Sequence, residues 1–223
     1  MTIQEIQETV QEFKHAAQMA KDADFDGIEI HSSNGYLIHQ FLNKNANQRK
    51  DDYGVNIPNR ARFFFDILEA VSEVWPENRI GCRFNPSLHK SFGIVASEES
   101  IATFDHVVQK LNAYDLAYVH FSEPFTDVSD VPYLETEIAK HYRKIYKGTL
   151  MINNGFDRES GNKVIEDGDA DLVAYAKWFI SNPDLPERFE NNWPLADFDK
   201  DTFYTTGKKG YTDYPAYQKE KVS

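Results

Sequence analysis

Residues 29–36 read Glu-Ile-His-Ser-Ser-Asn-Gly-Tyr, an apolar strand that opens onto a polar cluster. His31, Asn34 and Tyr36 put an imidazole, a carboxamide and a phenol within six positions of one another. Two neutral hydrogen-bond donors and a weak acid suit a site that grips an oxygen atom and delivers a proton beside it. More polar residues stand where other apolar runs end: Asn85, Glu123, Asn154 and Lys177. In Asn153-Asn154-Gly155, glycine between a strand and a helix lets backbone amides approach a phosphate. The same Asn-Gly pair also reads as an ordinary turn. Ala176-Lys177 adds a cation at the next strand end, and together the two match the phosphate site that parallel barrels build after their last two strands. Arg83 lies near the end of an apolar strand, where an inward guanidinium must meet an anion or a polarised carbonyl, or pair with a carboxylate such as Glu29. Glu123 reads as a general base or as a cap, and His120 as a packed strand residue. His15, His39, His89, His106 and His141 have no metal-ligand spacing.

The elements that must position these residues alternate. Thr2-Ile3-Gln4-Glu5 fits a capping box, and Ile6, Val10, Phe13, Ala17 and Ala20 then recur at helical spacing. Ile28-Glu29-Ile30 is β-branched and predicts a strand. Helices are expected over 59–74, from Ser97 through Leu111 and over 135–146. Strands are expected over 79–84, 116–121, 149–153 and 171–175, with a Pro- and aromatic-rich tail from 182 to 223 that packs on the rest of a single domain, 1–223. Alternating strands and helices imply a parallel sheet whose ligand sites lie at the carboxyl edge of the strands. The fold class expected is therefore α/β, a (β/α) TIM-type barrel. Only five strands are counted, so the barrel is incomplete, about five of eight units, since the full fold takes about 250 residues.

The bulk numbers narrow the function. The 223 residues are 41% hydrophobic and 14% aromatic, the profile of a globular chain. A net charge of −12 excludes a phosphate-backbone binder, so no nucleic-acid partner is expected. The single cysteine, Cys82, excludes an internal disulfide and a cysteine-rich zinc site. No apolar run nears the roughly 18 residues of a membrane span and no signal peptide is evident, so a cytoplasmic setting is expected.

The motifs converge on a family. The run from Phe25 to Leu37 with Gln40-Phe41-Leu42, then Asn47, Arg49, Asp51, Tyr53-Gly54 and Asn59-Arg60-Ala61-Arg62-Phe63, closely resembles the Old Yellow Enzyme family of flavin-dependent ene-reductases. Gly81 with Arg83, the run from Asn182 to Arg188, Thr202-Phe203-Tyr204 and the run from Gly210 to Pro215 continue the resemblance. It implies an FMN-bound barrel reducing the activated C=C bond of an enone or nitroalkene, with NADH or NADPH as reductant. In that reading His31 and Asn34 hydrogen-bond the substrate oxygen where negative charge develops. Hydride comes from FMN and the proton from Tyr36, a phenol that is ordinarily protonated at neutral pH. Arg83 matches the flavin-ring arginine; Asn154, Gly155, Ala176 and Lys177 fall on the phosphate site; Phe203 and Tyr204 match substrate-side aromatics.

The sequence also departs from the family. Ala176-Lys177 stands for the usual Gly-Arg, replacing a bidentate fork by a point charge. Gly54-Val55-Asn56-Ile57-Pro58-Asn59 stands for Gly-Gly-Ser-Ile-Glu-Asn. Family members carry roughly three further strand–helix units ahead of the segment matching Thr2. The alternative is thus a truncated, non-catalytic remnant or a split-enzyme half, with self-association or a complementary N-terminal chain expected at the unpaired sheet edges.

Overall fold

Strand and helix alternate along the chain as the periodicity predicts, in a computed structural model that describes residues 1–218. The strands are β1 (Ile28–His31), β2 (Ile80–Phe84), β3 (Tyr118–Ser122), β4 (Leu150–Asn153) and β5 (Leu172–Ala174). The helices are α1 (Ile3–Asp22), α2 (Leu37–Leu42), α3 (Ile57–Ser72), α4 (Ser100–Leu111), α5 (Ile138–Arg143), α6 (Arg158–Glu166), α7 (Lys177–Ser181) and α8 (Leu185–Asn191). All five strands are parallel and lie side by side in chain order. Such sequential order is what right-handed crossovers give a barrel wall. The chain is α/β with a parallel sheet, an incomplete TIM-type barrel.

Side chains alternate across each strand, and this sorts the sheet's two faces. One face carries Ile30, Ile80, Cys82, Phe84, Val119, Phe121, Leu150 and Ile152, all buried in the main core with Phe63, Phe64, Ile67 and Leu68 of α3 and Val107 and Leu111 of α4. Phe121 stacks on Tyr142 of α5 with ring centroids 4.3 Å apart. Cys82 is fully buried here, a small packing residue whose thiol is pushed far up by desolvation. The opposite face carries Glu29, His31, Arg83, Tyr118, His120 and Asn153, a polar surface. The core therefore lies between sheet and helices, and the chemistry on the other side.

The Thr2 capping box forms: the hydroxyl accepts from the Glu5 amide, and the Glu5 carboxylate accepts from that of Thr2. Two expectations need correction. The α4 helix starts at Ser100, because Ser97 and Ser100 form a hydrogen-bonded turn ahead of it. Where a helix over 135–146 is predicted, α5 spans only Ile138–Arg143, its first amides held by Glu123 from across the β3–α5 connection. The segment from 182 contains α8. Arg188, 5% exposed, donates to Asp184 at 2.7 Å, to the Pro194 carbonyl at 2.9 Å and to that of Pro215 at 3.1 Å.

Candidate active site

The polar strand ends share the carboxyl edge of the sheet. Parallel register sets His31, Arg83 and His120 in one row across β1, β2 and β3. After His31 the chain turns sharply, with Asn34 at φ 54° and Gly35 at φ 75°. A side chain at Gly35 would overlap the Phe92 carbonyl, so glycine is required there for both conformation and space. The turn sets the Tyr36 ring edge-on to His31, with centroids 5.4 Å apart. Tyr36 is 64% exposed and caps α2 without a side-chain bond. Asn34 accepts a hydrogen bond from the Asn85 amide at 3.3 Å, which tethers it to the end of β2. Burial and then the nearby Arg83 charge lower the His31 pKa from 6.5, Glu29 only partly opposing them. The ring is therefore a neutral donor at neutral pH.

A cavity of about 580 Å³ runs from this cluster along the strand ends. Asn34 and Arg83 line one end, Asn154, Gly155, Ala176 and Lys177 the other, and Tyr204 stands at the rim, 98% exposed. Phe203 does not line it; its ring packs on Phe198 and Tyr204. His31 and Tyr36 sit beside the Asn34–Arg83 end without forming its wall. The Asn154-Gly155 turn is left-handed at both residues, φ 74° and 86°. Paired left-handed residues aim successive amides to one side, and glycine relieves the strain of the second. The Asn154 amide donates to the Glu123 and Pro124 carbonyls, fixing the turn to the end of β3. The α6 N-terminus is already capped by Asp157, and the Lys177 ammonium lies 5.8 Å from the Phe198 ring centre.

Arg83 and Asn153, two residues of the cavity lining, each hold one buried atom without a partner, Nε and Oδ1. A buried donor and acceptor left unpaired are costly. The lining also carries two cations, Arg83 and Lys177, and the side-chain amides of Asn34, Asn153 and Asn154, a donor set that a flavin ring edge with a phosphate tail would fit. A second cavity of about 650 Å³ opens on the far side of the Asn154–Phe156 turn, between the β3–α5 connection and α6, and holds neither Arg83 nor Asn34. Glu123 lines it as the α5 cap, accepting from Ile138 at 2.9 Å and Ala139 at 3.0 Å, and burial raises its pKa against those bonds. This resolves Glu123 as a cap. Sequence reasoning missed the pairing of His120 with Glu29, 2.9 Å apart, because only register brings two distant strands' side chains together. Among the described residues no cluster of His, Cys, Asp or Glu could hold a metal, and no helix is long and apolar enough to cross a membrane.

A parallel β/α sheet with a polar cavity at its carboxyl edge is the arrangement in which barrel enzymes place their ligand sites. Residues 1–196 match the model of the NADH:flavin oxidoreductase / NADH oxidase family. The chain is 40% identical over 217 residues to putative 12-oxophytodienoate reductase 5 of Oryza sativa subsp. japonica, covering 96% of this chain and 58% of that protein. It is 37% identical over 220 residues to 12-oxophytodienoate reductase 2 of Arabidopsis thaliana, with 98% and 58% covered. Morphinone reductase in complex with tetrahydroNAD superposes with a TM-score of 0.89 at 37% identity, over 98% of this chain and 58% of that one. An old yellow enzyme homologue from Zymomonas mobilis superposes at 0.90 and 32% identity, over 97% and 61%. The chain belongs to the NADH:flavin oxidoreductase family, the Old Yellow Enzyme group, and spans a little under three-fifths of the length of the relatives named first.

Proposed function

We propose that this chain carries the substrate-side and phosphate-side residues of an FMN-dependent NAD(P)H oxidoreductase acting on activated C=C bonds. The observation that carries the reading is the single cavity lined by Asn34 and Arg83 together with Asn153, Asn154, Gly155, Ala176 and Lys177. Arg83 and Asn153 would hold the ring edge, and the 154–155 turn with Lys177 the phosphate. FMN, when bound, supplies two-electron redox chemistry. The protein residues do the rest. His31 and Asn34 donate to the carbonyl or nitro oxygen of an enone or nitroalkene, worth most where negative charge builds. Tyr36 holds a phenolic proton beside His31, open to a substrate lying over the cavity mouth, and gives it to the adjacent carbon.

Anaerobic half-reactions test the roles. Tyr36→Phe should slow alkene reduction by about 10²-fold or more, the usual range for general acids, and leave flavin reduction by the nicotinamide unchanged. Equal loss in both halves would refute the proton-donor role. One observation favours a second reading. Among the described residues β1 and β5 are unpaired sheet edges, and edges invite another strand. In that reading FMN binding requires self-association or a complementary polypeptide, and size-exclusion with and without FMN separates the two.

A further inference from the structure

Beneath the His31–Arg83 row lies a polar layer that the proposed chemistry leaves unused. Register aligns Glu29, Gly81 and Tyr118 across β1, β2 and β3. Gly81 has no side chain because the Tyr118 ring lies over it; a Cβ there would overlap the ring carbons and hydroxyl. That gap lets a β3 side chain reach across β2 toward β1. His120 meets the Glu29 carboxylate from one row higher, Nδ1 to Oε2 at 2.9 Å. A β3 side chain thus holds a β1 carboxylate across the intervening strand. Arg83 projects from the strand between them, yet among the described residues it forms no ion pair, and its Nε is buried without a partner. A free carboxylate this near would ordinarily swing onto the guanidinium. Here it is tethered from the other side.

We propose that Glu29 is a positioning residue, a countercharge fixed by His120 close enough to moderate the field of Arg83 but held off it, so that the guanidinium stays open to an anionic or electron-rich ligand edge. The proposal deepens the flavin reading, since it assumes that Arg83 and His31 face the ligand. The electrostatics agree with the geometry. Burial opposes charge on Glu29, but the His120 bond and the Arg83 charge outweigh it and lower its pKa. Glu29 is also the group that opposes burial and Arg83 at His31, while His120 adds to them.

The test reads His31, which needs no flavin. In the full chain with isotope-labelled histidines, the His31 ring is followed by NMR across pH. Glu29→Gln should lower the His31 midpoint by about one unit, the order expected on losing one nearby opposite charge. The fold should survive, because the Glu29 side chain is 28% exposed and a glutamine oxygen can still accept from His120. If that variant does not fold, Glu29→Asp decides. It keeps the charge but withdraws it by one methylene, so the midpoint must still fall, by less. An unchanged midpoint in a folded variant overturns the proposal. Failure of the wild-type chain to bind FMN would instead count against the flavin reading, which this titration does not touch.

Discussion

His39 gives the sharpest stability prediction. Its ring is 2% exposed, packed edge-on to Phe104 with centroids 5.6 Å apart, and its Nδ1 has no partner. Desolvation, with a smaller push from His31, lowers its pKa from 6.5 to about 4. The unfolded chain therefore takes up a proton between these two pH values that the folded chain refuses. The stabilising contribution is whole above pH 6.5, shrinks as pH falls through that window, and is gone below pH 4. A displacement of about 2.5 units at 1.36 kcal/mol each makes the loss about 3 kcal/mol. Urea unfolding at pH 7, 5.5 and 4 should show wild type losing that much more stability than His39→Leu, which is similar in volume and cannot titrate. The difference between the two chains isolates His39, since every other carboxylate and imidazole is common to both. Parallel pH dependence in wild type and variant would refute the reasoning, and so would a histidine ring signal at position 39 that titrates near 6.5.

Two other substitutions follow from local geometry. Val55 holds φ 69° with 66% exposure, a left-handed conformation that a β-branched residue adopts only under strain, and the family pattern has glycine there. Val55→Gly should raise stability by about 1 kcal/mol in urea unfolding, with a loss of that size contradicting the strain. Glu123→Ala strips two first-turn amides of α5 of their acceptor and should cost about 2 kcal/mol in the same assay, without changing FMN affinity. Selective loss of turnover without destabilisation would restore the general-base reading of Glu123.

Much of this site was legible because its residues occupy strand ends, and strand ends are marked by a change from apolar to polar residues. His31, Arg83, Asn154 and Lys177 were found that way, and parallel register then brought them to one edge. Spacing could not reveal which side chains meet across strands. Glu29 was weighed as a partner for Arg83 and is held by His120. Arg60 stood out only as part of a matching run, yet it is 1% exposed and reaches Leu42 of α2 and Glu99 and Thr103 at the start of α4. Periodicity also misjudged α5, whose short span is set by a carboxylate on another element. Phe203 carries the right type for a cavity wall but turns to Phe198, because the 3-10 turn at Lys200–Thr202 fixes its direction.

In the proposed function the β2, β4 and β5 strand ends and the β1 turn serve one phosphorylated ring. Fluorescence titration of the full chain with FMN, alongside riboflavin, tests this. FMN should be quenched saturably, and its binding weakened about tenfold or more in Lys177→Ala, since a charge-assisted contact contributes about 1.5–3 kcal/mol, while weaker riboflavin binding stays unaffected by that change. Flavin emission that stays constant as wild-type protein is added, or equal effects of Lys177→Ala on both flavins, would contradict it.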